Sequence, residues 1–98
     1  MKKTAATFLA GLAIALSGGA AQAQISDDVV KIGVLTDMSS LYSDATGKGS
    51  LVATQMAVED FGGKVKGKPI VVLAGDHQNK PDVGVNIARN WIDNDKLD

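Results

Sequence analysis

Seven consecutive residues, Val29-Val30-Lys31-Ile32-Gly33-Val34-Leu35, constrain this chain most. The run is rich in β-branched residues and almost wholly apolar, and its apolar and polar positions do not alternate. A strand with one wet face alternates, whereas a strand covered above and below does not. The run therefore predicts a parallel strand buried on both faces. That in turn predicts an α/β fold with helices on the two sides of a sheet.

The segments that follow fit this expectation. Thr36 to Gly49 is polar and reads as a long loop. Ser50 to Phe61 reads as a helix on propensity, since its apolar residues cover most of the wheel and give little amphipathic signal. Gly62-Gly63 stops it, because glycine takes the left-handed C′ conformation at little cost. Lys64 to Lys68 reads as a basic, solvated turn. Pro69 then opens a second strand, Ile70 to Ala74, and proline there suits an edge strand. Asn79, Pro81 and Asp82 announce a second helix: asparagine can cap, proline fits the first turn, and an acid complements the dipole. In that helix Val83, Val85, Ile87, Ala88, Trp91 and Ile92 fall on one half of the wheel, which makes Trp91 a core residue. Lys96-Leu97-Asp98 reads as the approach to a further strand. The order β-α-β-α is the start of a doubly wound parallel sheet.

The N-terminus predicts where the chain works. Met1-Lys2-Lys3-Thr4 is a positive head, Ala5 to Leu16 is an apolar run, and Ala21-Gln22-Ala23 is an A-x-A site. That order is what export machinery and signal peptidase read. The apolar run is shorter than a membrane-spanning helix requires. Residues 1–23 are therefore expected to be a signal cleaved after Ala23, leaving residues 24–98 as one partial domain in the periplasm. The formal net charge of −1 offers no electrostatic footprint for nucleic acid. The absence of cysteine removes disulfides, thiolate metal sites and thiol nucleophiles.

Two motifs invite chemistry and fail on spacing. Gly47-Lys48-Gly49 lacks the third glycine of a dinucleotide fingerprint, with Val52 in its place. It also lacks the glycine and the hydroxyl residue of a P-loop, because Tyr42 and Gly49 hold those positions. Its glycines are read instead as conformational freedom where the helix begins. His77 beside Asp76 has no second histidine, cysteine or spaced carboxylates around it. It is read as a polar loop residue, and neither a catalytic group nor a metal site nor a cofactor is expected. The loop Met38 to Gly49 is the candidate site. It leaves the carboxyl end of a parallel strand, where open sheets bind ligands. It carries Ser39, Ser40, Tyr42, Ser43, Asp44 and Thr46, and it feeds a helix N-terminus near Gly49 that favours anions.

These residues resemble a known family. Lys31-Ile32-Gly33-Val34-Leu35-Thr36-Asp37-Met38-Ser39 is similar to the first strand and loop of type I periplasmic solute-binding proteins, the receptors of ABC importers for branched-chain amino acids and related compounds. Ala57 to Gly63, then Val65 to Ile70, resembles that family's first helix and the turn into its second strand, and Asp76 with Pro81 resembles the flanks of its second loop. The sequence departs from the pattern at Ser40, where the family usually has glycine, and it lacks a cysteine often found after the second strand. The resemblance implies the N-terminal lobe of a two-lobed receptor, present here in part and without enzymatic activity. It implies ligand contacts from Ser39, Ser40 and Tyr42, with Asp44 and Thr46 beside them. The implied ligand is an amino acid or related small carboxylate, and the implied partner is an inner-membrane ABC permease. Aromatic or other organic acids are the alternative ligands. An exported α/β enzyme, or a sensor domain with the same lobes, are alternative functions.

Overall fold

The computed structural model describes residues 25–98, and the predicted signal at 1–23 lies outside them. The elements follow the order β1 (Val30–Thr36), α1 (Ser43–Thr46), α2 (Lys48–Phe61), β2 (Lys64–Val65), β3 (Lys68–Asp76) and α3 (Pro81–Asp93). Strand order is β1-β3-β2. β1 and β3 run parallel, in register from Val30 against Ile70 to Thr36 against Asp76.

The two longer helices lie on opposite faces of this pair. Leu35 pairs with Gly75, so Gly33, Leu35 and Gly75 share a face. On that face the Trp91 ring of α3 lies against both glycines, and Trp91 is 8 % exposed. The alternate residues Ile32 and Ile70 line a cleft with Thr54, Ala57 and Val58 of α2. Helices thus lie over both faces of β1, as its unbroken apolar character predicts, but burial is incomplete, and Ile32 on the α2 face is 39 % exposed. The strand's one charged residue, Lys31, reaches out of the layer: its Nζ donates to the Asp95 carbonyl at 2.7 Å and to Asp27 at 3.4 Å.

Local chemistry explains where the elements stop. Gly62, at φ 105°, ends α2 by donating to the Glu59 carbonyl, while the Gly63 amide donates to Val58. Pro81 sits in the first turn of α3, but the residue before it, Lys80, holds the cap position without a side-chain bond. Asn79 does not cap, because it and Gln78 take left-handed conformations at φ 56° and 55°. The basic turn contains two paired residues, with Lys64 opposite Pro69 and Val65 opposite Lys68 in an antiparallel hairpin. β3 is therefore central among the described strands and not at an edge. Pro69 is tolerated because the β1 ladder begins only at Ile70. Val85 and Ile92, expected in the apolar stripe of α3, stand 52 % and 64 % exposed, so the stripe that packs is narrower than its composition suggests.

After α3 the chain returns to the edge of β1 that faces away from β3. The Asp98 amide donates to the Lys31 carbonyl at 3.2 Å, and the Asp98 carboxylate accepts from the Lys31 amide at 2.9 Å and the Ser26 amide at 2.7 Å. Residues 94–98 form no strand, and only Asp98 touches the β1 backbone. Among the described residues no helix is long and apolar enough to cross a membrane.

Candidate functional site

β1 and β3 end side by side, and each is followed or closed by an aspartate. The His77 amide donates to the Thr36 carbonyl at 2.9 Å, which brings the loop after β1 against the loop after β3. Asp37 follows β1 directly and is 1 % exposed. A buried charge is costly unless hydrogen bonds replace its water, and the sequence that follows supplies them. Asp37 Oδ1 accepts the amides of Ser39 at 3.3 Å and Ser40 at 2.8 Å. Oδ2 accepts the Ser40 hydroxyl at 2.6 Å and the Tyr42 amide at 2.9 Å. Burial acts most strongly on this carboxyl and pushes its pKa up. The Ser40 hydroxyl and the amides of Tyr42, Ser40 and Ser39 together outweigh burial and bring the pKa from 3.8 down to about 2.

Asp76 joins the two loops. Its Oδ1 accepts the Met38 amide and the Gln78 amide, each at 2.9 Å. The Ser39 hydroxyl and then the Met38 amide hold this carboxyl below its ordinary value, against burial and against the negative charge of Asp37. Among the described residues no ion pair involves either aspartate; both are held as anions by N–H and O–H donors.

The rest of the first loop folds on itself. The Ser43 hydroxyl donates to the Ser40 carbonyl at 2.7 Å, and the Thr46 hydroxyl to the Tyr42 carbonyl at 3.1 Å. The Thr36 hydroxyl spans the loop to the Thr46 carbonyl at 2.9 Å. Residues 43–46 form the single turn α1 inside what the composition reads as loop, and α2 begins at Lys48 and not at Ser50. Gly47 is the pivot between the two helices. It is buried, and a Cβ there would run into the Ser43 carbonyl oxygen and stand 2.9 Å from the Asp37 carbonyl oxygen. Gly49 has open space around it. The first glycine is therefore required by close packing, not by flexibility.

The five predicted contact residues are brought to one segment, and all are exposed. They differ in what they can offer. The Ser40 and Thr46 hydroxyls have spent their protons on Asp37 and on the Tyr42 carbonyl. Tyr42 is 53 % exposed, and Leu41 next to it is 77 % exposed. Asp44 lies in α1, exposed. Sequence reasoning passed over Asp37 as the organiser of this loop. The signal was present as an acid directly after an apolar strand, followed by two serines, the composition of a side-chain-to-backbone turn.

In the second loop His77 Nδ1 accepts the Asn79 amide at 2.9 Å. His77 borders a shallow cavity of about 300 Å³ with Asn79, Lys80, Pro81, Gly84 and Val85. The Asp76 carboxylate accepts from the Met38 and Gln78 amides, and no hydrogen bond joins it to the His77 ring among the described residues. No group of three metal-ligating side chains occurs among the described residues.

The geometry has close counterparts. A crystal structure of a periplasmic binding protein from Burkholderia mallei is 58 % identical, with a TM-score of 0.70 over 71 % of this chain and 19 % of that one. A branched-chain amino acid ABC transporter periplasmic ligand-binding protein from Burkholderia xenovorans LB400 is 54 % identical, with a TM-score of 0.68 over 70 % of this chain and 18 % of that one. A solute-binding protein of an ABC transporter from Rhodopseudomonas palustris BisB5, in complex with 3,4-dihydroxybenzoic acid, is 31 % identical, with a TM-score of 0.66 over 72 % and 19 %. The chain thus spans about a fifth of the length of these structures. No curated protein sequence matches it. The family model described as periplasmic binding protein matches residues 29–98. Carrying that match together with the parallel β1–β3 pair and its flanking helices, the chain belongs to the periplasmic binding protein family.

Proposed function

We propose that residues 24–98 form the first units of the N-terminal lobe of a solute receptor, exported with a signal cleaved after Ala23. The receptor captures a small carboxylate-bearing solute in the periplasm and presents it to an ABC permease, without catalysis. The observation that carries this reading is the Asp37-held loop at the carboxyl ends of two parallel strands, the position where open sheets take ligands. Ser39, Ser40, Tyr42, Asp44 and Thr46 are the contacts we assign. A branched-chain or other amino acid is the ligand we favour, following the B. xenovorans relative. An aromatic acid is the second reading, and the R. palustris relative with its bound 3,4-dihydroxybenzoic acid supports it.

The test is a melting-temperature screen of the full-length receptor. L-leucine, L-isoleucine, L-valine, benzoate and 3,4-dihydroxybenzoate are the probes. A ligand that binds only the folded state at ~100 times its Kd adds ~2.7 kcal/mol of stability, a shift of several degrees. A saturable rise with one class names it. No rise with any of them overturns the reading. Mass spectrometry of periplasmic material beginning at Gln24 checks the signal.

A further inference from the structure

The loop after β3 is held by its own hydrogen bonds, and they leave a donor over. Gln78 and Asn79 are consecutive non-glycine residues in the left-handed region, at φ 55° and 56°, a conformation that needs support. Asp76 Oδ1 accepts the Gln78 amide, His77 Nδ1 accepts the Asn79 amide, and the His77 carbonyl accepts the Lys80 amide, each at 2.9 Å. A ring nitrogen that accepts carries no proton, so the proton of the neutral imidazole sits on Nε2. That Nε2–H has no partner among the described residues and is open to solvent. The side chain rests over α3, where a Cβ on Gly84 would stand 3.4 Å from His77 Cβ and 4.0 Å from Cγ. One edge of the ring is thus fixed, and the other is free beside the cavity of about 300 Å³. None of the residues around that cavity is acidic. Pro81 and Val85 give it apolar surface, and the exposed Lys80 brings positive charge. Asp76 and Asp82, the acids nearest in sequence, do not border it, and Asp76 turns Oδ1 to Met38 and Gln78. The His77 amide donates to the Thr36 carbonyl, so this loop stands beside the first at the strand ends.

We infer that His77 is a further solute contact, whose Nε2–H donates to a carboxylate oxygen of the solute, with Lys80 adding positive charge at the rim. This rests on the receptor reading above and brings the second loop into it. A donor whose direction is set before the solute arrives gives up little side-chain freedom on binding. Its bond is strongest when the acceptor is ionised, which favours a carboxylate over a hydroxyl or an amide. The apolar surface of Pro81 and Val85 suits the hydrocarbon part of the same solute. His77 is here a contact and not an acid or a base, since it keeps its Nε2 proton throughout.

A pair of substitutions in the full-length receptor separates contact from support. His77→Asn keeps an acceptor where Nδ1 stands, so the Asn79 amide stays bonded, but it has no donor where Nε2 stands. His77→Gln reaches the place of Nε2 with an amide donor and gives up the turn. Calorimetry uses L-leucine and 3,4-dihydroxybenzoate as probes. His77→Asn is expected to weaken the probe that the wild type binds by about tenfold or more, the worth of a hydrogen bond to a charged group. Its melting temperature without solute is expected to match that of the wild type, and His77→Gln is expected to bind more tightly than His77→Asn. Binding by His77→Asn within about twofold of the wild type overturns the contact. A His77→Gln receptor that binds no better than His77→Asn also overturns it, because a role in the turn alone favours asparagine. Difference infrared spectra of the probe, labelled with carbon-13 in its carboxylate and held at saturation, check the group contacted. The carboxylate band is expected to move between wild type and His77→Asn, and an unmoved band overturns the assignment. If the wild type binds neither probe, the receptor reading fails for these solute classes and the contact falls with it. A wild type that binds while the variants do not behave as stated overturns the contact alone.

Discussion

The sharpest test of the packing is an alanine at Gly33. A Cβ at that position would stand 2.6 Å from Trp91 Cζ3, 2.8 Å from Cε3 and 3.3 Å from Leu97 Cδ1. Carbon atoms in contact prefer ~3.5–4.0 Å, so the ring must move by about an ångström. It cannot simply slide along the sheet. A Cβ on neighbouring Gly75 would meet the same ring at 2.8 Å and Ile87 at 2.9 Å, which shows how tightly the indole fills both notches. Forcing a methyl group into such a core costs ~1–3 kcal/mol. Against that, alanine in a strand is ~0.5–1 kcal/mol better than glycine on conformational entropy alone. Gly33→Ala should therefore destabilise by ~0.5–2 kcal/mol overall. In a Trp91→Leu background the ring is gone and only Leu97 Cδ1, the movable end of a flexible side chain, stays close at 3.3 Å, so the same change should stabilise by up to ~0.5–1 kcal/mol. Urea unfolding of the four variants, followed by far-ultraviolet circular dichroism, reads the cycle; Trp91 is the only tryptophan, so its own fluorescence cannot serve in the leucine variants. A coupling of at least ~1 kcal/mol with a change of sign is expected. An identical effect of Gly33→Ala in both backgrounds would refute the notch.

Other consequences follow from the loop and its acids. Asp37 has a folded pKa of about 2 against 3.8 unfolded, and Asp76 and Asp98 are shifted in the same direction. A lowered carboxyl stabilises the fold above the unfolded value and loses that contribution as pH falls through the folded one. Stability should therefore decline between pH 3.8 and about 2, and Asp37→Asn should make this acid limb shallower; identical acid titrations of the two proteins would speak against the hydrogen-bond account. Gly47→Ala should destabilise by ~1–3 kcal/mol through its clash with loop carbonyls, whereas Gly49→Ala should be neutral or stabilise by up to ~1 kcal/mol; equal effects by chemical denaturation would refute the packing role of Gly47. Tyr42→Ala should weaken solute binding by calorimetry while leaving the melting temperature of the free protein nearly unchanged, because the ring is half exposed. A large fall in melting temperature would place Tyr42 in the fold and not in the site.

The parallel strand pair, the glycine stop of α2 and the core position of Trp91 were legible because each rests on a strong local rule: unbroken β-branched apolar residues, the left-handed freedom of glycine, and helical periodicity. What was not legible depends on partners distant in sequence or on hydrogen bonds that composition does not encode. The two-residue strand β2 exists because Lys64 meets Pro69 across a turn, and nothing in a basic pentapeptide announces that pairing. The single turn α1 forms because Ser43 and Thr46 donate back to loop carbonyls, the same competition that usually places such residues in loops. Asn79 carries a good capping side chain, yet the chain reverses through left-handed residues 78 and 79 and leaves the cap to Lys80.

The site shows the same division in a more instructive form. Its hydroxyls and its tyrosine were visible as a composition, and the helix N-terminus near Gly49 was visible as a place that favours anions. The residue that organises this segment is Asp37, which looks in sequence like the polar end of a strand. Its burial to 1 % exposure is sustained by four short-range donors, all within five positions along the chain. Such a constellation is local enough to form as soon as β1 and β3 bring Asp37 and Asp76 together, and Asp76 then ties the Met38 amide to the second loop. The loop is therefore ordered before any solute arrives. Binding by a loop already held in shape avoids the entropy cost of fixing it. If the chain is part of the two-lobed receptor proposed above, the conformational work falls on closure between lobes and not on this segment. That is the physical reason a buried acid with no cation beside it can be worth keeping at the end of a strand.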